Sequence, residues 1–168
     1  MPEPSVAMNN PEPEQGEPSP TSVRYLTAEG LLKLPVRLGD VELGRPTDLL
    51  IDLERLRVIG LTVRRSDHTE RFLPLAAATL RDDEIATDSA LALLEESAFY
   101  RKRGVSLRSL QGALVEVRGK PAGLLFDLEV SGDGEVRNVV ARSDGRKPIR
   151  IRAERATVKL RGKAKVTP

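Results

Sequence analysis

A few groups of residues have types and spacings that could do chemistry. His68, the single histidine, sits in a Ser66-Asp67-His68-Thr69 turn. Histidine there could serve as a ligand or a base, but no partner for either role stands out, so a solvated turn residue is expected. Asp82-Asp83-Glu84 suggests a cation site. It lacks the alternating ligands and glycine of a calcium loop and reads as a charged hairpin turn. Gly44 and Gly119 each precede a proline, Pro46 and Pro121, by two residues. No Lys-Ser/Thr follows at helical spacing, so these are turns needing a permissive backbone and not phosphate loops. Asp52 and Asp127 recur at strand ends. Hydrogen bonding to backbone amides accounts for both, and changing either to Asn is expected to lower stability. No nucleophile, base and metal set emerges, so the chain is expected to be non-enzymatic, with no catalytic, cofactor-binding or metal-binding residues. The absence of cysteine excludes disulfides and thiolate metal sites.

The basic residues are more suggestive. Arg101-Lys102-Arg103 and Arg146-Lys147 are followed by Arg150, Arg152, Arg155, Lys159, Arg161, Lys163 and Lys165. Alternation at Arg150/Arg152 and from Lys159 onward puts charges on one face of strands, where they could hold phosphate in a salt-dependent way. Charged strands also protect sheet edges from aggregation. With five aromatic residues in the chain, base stacking is not expected. Arg150, Arg152, Arg155, Lys159 and Arg161 are the candidate partner contacts. The charge is uneven: residues 101–168 carry seventeen Lys/Arg against seven Asp/Glu, residues 23–100 ten against fourteen, and residues 1–22 four Glu and no base. Either an acidic partner or attraction between the halves is consistent with this.

The elements that must position these residues are short. Residues 1–22 hold six of the twelve prolines and read as a disordered Pro/Glu-rich tail. Thr27 is a fair N-cap for a turn of helix that Pro35 stops. Val36-Arg37-Leu38 leads to a Gly39-Asp40 turn, and Gly44-Arg45-Pro46 reads as a second one. Thr47 to Glu54 alternates, with Leu49, Ile51 and Leu53 on one face. Leu50 interrupts the polar face and marks a seam. Val58 to Arg64 and Arg71 to Leu75 form the next hairpin, with Pro74 at an edge. Asp88 is expected to cap a short helix with Ala90, Leu91, Leu93 and Leu94 on its apolar side.

The chain also resembles itself at a shift of 75 residues, where Gly44 to Glu54 aligns with Gly119 to Glu129 at seven of eleven positions. The match resumes beyond a two-residue insertion at Ser131-Gly132-Asp133-Gly134. The expected organisation is a tail (1–22), a first unit (23–87), a helical linker (88–104), a second, basic unit (105–163) and a flexible end (164–168). Units this small bury little surface alone, so the two are expected to pack about a pseudo-twofold axis.

Leu34-Pro35-Val36, Gly44 to Asp52 and Arg71-Phe72-Leu73-Pro74-Leu75 together resemble the PRC-barrel family. The second unit keeps Gly119 to Glu129 but has Ile149-Arg150-Ile151-Arg152 where Pro74 would recur. The resemblance implies a mainly β fold of two tandem, strongly bent β-barrel units with short connecting helices, serving as assembly modules. The family includes the cytoplasmic part of the photosynthetic reaction-centre H subunit and the C-terminal domain of a ribosome maturation factor. The H subunit's membrane helix and the ribosome factor's additional barrel have no counterpart here, so neither role is carried over. The family offers no catalytic residues. A cytoplasmic adaptor that holds a protein partner is expected, with an RNA- or ribosome-associated factor as the alternative. No transmembrane segment is present and membrane-surface contact is not expected; homo-oligomerisation is left open.

Overall fold

Thr27 does what its position suggests. In the computed structural model, which describes residues 25–160, its Oγ1 accepts the Gly30 N–H at 2.9 Å and opens the helix α1 (Ala28–Leu31). The calls of a tail at 1–22 and an end at 164–168, together with Arg161, Lys163 and Lys165, lie outside the described residues. The described chain is mainly β and forms two multi-stranded sheets.

The first sheet is built from β2 (Val36–Leu38), β3 (Val41–Asp52), β4 (Arg57–Arg64), β5 (Glu70–Pro74), β6 (Thr79–Leu80) and β7 (Ile85–Ala86), in the order β5-β4-β3-β2-β7-β6. The second contains β9 (Leu114–Val117), β10 (Lys120–Val130), β11 (Val136–Arg142), β12 (Ile149–Arg152) and β13 (Ala156–Lys159), in the order β12-β11-β10-β9-β13. Within each sheet the two end strands are separated by only a short turn, Ala153 to Arg155 in the second. That link spans at most about 14 Å, so the sheet must curl until its edges approach.

Two strands lie outside this order. β1 (Leu26–Thr27) pairs with β10, Leu26 against Val130 and Thr27 against Glu129. β8 (Val105–Ser106), which follows α2 (Ala98–Arg101), pairs with β3, Val105 against Ile51 and Ser106 against Leu50. The leading strand of each half thus completes the sheet of the other. Each carries a short helix with it: α1 packs on β10, and α3 (Leu107–Leu110) on β3. Leu31 and Leu110 are both fully buried, worth about 1.5–3 kcal/mol each. Leu50, expected at a seam, lies on this junction. The hairpin turns also meet: Val58 N–H donates to Gly134 O at 2.9 Å, and Val136 N–H to Leu56 O at 2.8 Å. A single buried cluster draws on both sheets, with Leu49, Ile51 and Leu61 from one and Val115, Leu128 and Val139 from the other.

Two expectations are corrected. Gly44-Arg45-Pro46 is not a turn, because β3 runs straight through it and only the register slips, between Pro46 and Asp48. The helix expected after Asp88 is a single 3-10 turn, Ala90–Ala92, capped by Ser89, whose Oγ accepts the Leu91 N–H at 3.2 Å. Leu91 is 88% exposed, and Leu94 instead exchanges two 2.8 Å backbone bonds with Phe72 on the edge of β5. So short a helix has little stability of its own, and the sheet edge supplies better partners. The registers of the two long hairpins can also be compared. Asp48 opposite Thr62 matches Asp127 opposite Val140, and Leu49 opposite Leu61 matches Leu128 opposite Val139. These register pairs lie 79 residues apart along β3 and β10, against the shift of 75 in the sequence match. The separation becomes 78 at Leu61 and Val139, a one-residue shortening of the turn, against the two-residue insertion in the sequence match.

Candidate partner-binding surface

The basic series is divided between two strands and the turn that joins them. β12 and β13 stand at opposite ends of their sheet, so Arg150 and Arg152 lie on one edge and Lys159 on the other, with Arg155 exposed in the turn between. Several of these charges have partners. Arg150 Nε lies 2.7 Å from the Glu129 carboxylate, which is 4% exposed and also accepts Asn138 Nδ2 at 2.8 Å. Lys159 pairs with Glu116 at 2.8 Å, and Arg152 reaches Glu154 only at 3.9 Å. Arg150 is thus partly structural, while Arg152 is left facing solvent.

The sheet also exposes apolar side chains. Leu124 and Phe126 on β10 are exposed, and the Arg142 guanidinium lies 4.7 Å from the centre of the Phe126 ring; Ile149 is exposed at the β12 edge, in register with buried Ala141. Sequence reasoning missed this stack because Phe126 falls where a β-bulge, between Leu125 and Asp127, turns it outward against the alternation.

The paired aspartates are anchored by backbone, as their spacing suggested, but they are not each other's equivalents. Asp52 Oδ1 accepts the N–H groups of Glu54 at 3.0 Å and Arg55 at 3.1 Å, closing the β3–β4 turn. Asp127 Oδ1 accepts Leu128 N–H at 2.8 Å and Glu29 N–H at 3.2 Å, pinning α1 to β10. Burial pushes the Asp127 carboxyl above its ordinary pKa, and the bonds from Leu128 and Glu29 oppose the shift. Its register match is Asp48, which accepts its neighbour's N–H from Leu49 at 2.9 Å and the Ser106 hydroxyl. Each aspartate thus holds the incoming segment of the other half.

Gly44 likewise matches Gly123 and not Gly119. A Cβ would come within 2.5 Å of Arg64 O at Gly44 and within 2.9 Å of Arg142 O at Gly123, so both strands need glycine for close approach. Gly119 instead follows Arg118 in a tight turn with φ of +75°. Pro46 is buried within β3, whereas Pro121 is exposed at the start of β10.

Two of the clefts bear on the candidate residues. One of about 300 Å³ lies between β8 and the β3–β5 sheet, lined by Asp48, Ser106, Arg101, Arg108, Glu70 and Phe72 among others. Its serine hydroxyl is engaged by a carboxylate, and no histidine lines it. A second, of about 500 Å³, is lined in part by Arg45, Arg64, Arg65 and His68, with Arg45 held by Glu42 and Arg64 by Glu70. His68 itself is exposed at a turn, with φ of +64°. Among the described residues, no group of three or more His, Cys, Asp or Glu is placed to hold a metal ion. Nor is any helix there long and apolar enough to cross a membrane. No protein-family model matches the chain, and no curated protein matches it.

Proposed function

We propose that the chain is a non-enzymatic adaptor of the cytoplasm, built from two tandem PRC-barrel-like units related by a pseudo-twofold axis, that holds a protein partner on the second unit. The duplication is supported by matched registers along both long strands and by reciprocal donation of β1 and β8. The Val58–Gly134 and Val136–Leu56 bonds exchange with each other under the same relation. Curling that brings β12 and β13 within one short turn supports a barrel-like shape for the unit.

The observation that carries the adaptor reading is the exposed apolar pair on β10, Leu124 and Phe126, with Arg142 opposite Leu124 in register and stacked on the Phe126 ring. Exposed aromatic and aliphatic groups beside an arginine suit a protein interface. The Arg142–Phe126 stack also favours a second reading, an RNA- or ribosome-associated assembly factor. Affinity capture from native lysate, with and without nuclease, separates the two. A protein retained after nuclease and in moderate salt supports the adaptor. Capture that collapses under either treatment supports the RNA reading and overturns the adaptor.

A further inference from the structure

The outer edges of β5 and β12 are register-equivalent, Phe72 matching Arg150 and Pro74 matching Arg152, yet they are finished differently. On β5 the edge is closed twice. Phe72 gives both its backbone groups to Leu94, and the next outward-facing position is Pro74, which has no N–H. The segment that closes it is extended and acidic: Glu95 follows Leu94 and meets Arg71 at 3.1 Å.

On β12 neither device is present. Arg152 restores the N–H that Pro74 lacks, and among the described residues no strand or bridge pairs with β12 on its outer side. The equivalent register turns the backbone groups of Arg150 and Arg152 outward. Arg146, Lys147, Arg152 and Arg155 are exposed around them. We infer that the β12 edge accepts an extended acidic segment of a partner protein, which adds to the sheet as a further strand and sets its carboxylates against these arginines. The chain's own use of Leu94-Glu95 on the matching edge shows the geometry required. The inference rests on the adaptor reading and names the site and the partner chemistry for it.

The test uses the full chain and a fluorescein-labelled Glu-Val-Glu-Val-Glu-Gly peptide, read by fluorescence polarisation. Arg152→Pro copies the closed edge. The backbone already suits it, since Arg152 has φ −57° and ψ 133° where Pro74 has φ −60° and ψ 138°. Saturable binding by the wild type is expected, weakened roughly tenfold by Arg152→Pro through loss of one backbone bond. Arg152→Gln, which keeps the N–H, should weaken it less and only at low salt. A peptide N-methylated at alternate amides keeps its charge and should not bind, which decides the matter even if Arg152→Pro does not fold.

Absence of peptide binding, equal binding of the N-methylated peptide, or unchanged affinity in a folded Arg152→Pro variant overturns the proposal. So does an oligouridylate probe that binds where the peptide does not. A sedimenting dimer dissolved by Arg152→Pro, without peptide binding, would assign the edge to a second copy instead. Lysate capture that survives Arg152→Pro removes the edge site but leaves the adaptor reading standing. Peptide binding without any captured protein removes only the adaptor reading.

Discussion

Gly134→Ala tests whether the two halves form one cooperative structure. Gly134 lies in the β10–β11 turn with φ of +86°, and its carbonyl accepts the Val58 N–H from the other sheet. A methyl group added there would overlap Leu75 Cδ2, also in the other sheet's half. The left-handed backbone alone costs an alanine about 1–2 kcal/mol. Crowding Leu75 adds about 1–3 kcal/mol, for a total of about 2–5 kcal/mol. Gly112 provides the control: its φ is +76°, but nothing lies within 4 Å of an added Cβ. Gly112→Ala should therefore cost only the backbone share, about 1–2 kcal/mol. Urea unfolding followed by far-UV circular dichroism measures both. With a slope near 2 kcal/mol/M, the crowding difference separates the two midpoints by about 0.5–1.5 M. Each variant should still unfold in one transition, since each half lends a strand to the other. Equal midpoints for the two variants, or two separate transitions, would refute this account of the interface.

Further substitutions follow from two carboxylates, half-buried Asp127 and buried Glu129. Asp127→Asn keeps the Oδ1 that accepts Leu128 and Glu29 N–H and removes the charge that burial penalises, so at pH 7 it should hold or raise the urea midpoint. This reverses the loss expected from sequence. Asp127→Ala, which loses both bonds, should cost about 1–3 kcal/mol. Because the folded-state pKa is raised, the wild type's stability relative to Asn is fully present below the unfolded value, about 3.9, and is lost as pH rises through the folded one. Midpoints at pH 4 and pH 7 check the sign, and an Asn variant as weak as Ala at pH 7 would contradict it. Arg150→Ala strands the buried Glu129 carboxylate with Asn138 alone and should lower stability by about 1–3 kcal/mol. Arg152→Ala should stay within about 0.5 kcal/mol, and thermal melts of the two compare them directly.

How far the sequence could be read depended on the range of the interaction. Thr27, the Gly39-Asp40 turn, the Val58–Arg64 strand and the Asp52 turn are set within a few residues, and each was legible. The β3 bulge was not, because Gly44-Arg45-Pro46 carries every mark of a turn. What keeps it extended is Gly44 seated against the Arg64 carbonyl, a partner twenty residues away. The same limit applies to the glycine motif. Gly44 and Gly119 share a glycine-basic-proline motif, but the fold repeats the close approach of Gly44 to Arg64 and of Gly123 to Arg142, which leaves only glycine in common. The Asp48–Ser106 bond carries no local signal at all, since it joins residues 58 positions apart.

The strand exchange gives the charge asymmetry a structural reading. Leu50, Gly60, Phe72 and Pro74 in the first half correspond to Glu129, Asn138, Arg150 and Arg152 in the second. In the first half these positions are covered by the chain that leads into β8: Tyr100 lies 4.6 Å from Phe72, and Gly104 sits beside Leu50. An apolar surface suits that cover. In the second half the same positions form a hydrogen-bonded charge set, Glu129 with Asn138 and Arg150, and Arg150 remains largely solvent-exposed. A buried carboxylate needs its partner whether or not anything covers the sheet, whereas a Phe at Arg150's place would need a covering segment. The basic drift of the second half is therefore more than added surface charge. It replaces the apolar contacts that close one edge with polar contacts that hold the other edge's sheet together while leaving its backbone open. On this reading Arg150 serves the fold and Arg152 serves the partner, and substituting the two together would confuse a loss of stability with a loss of binding.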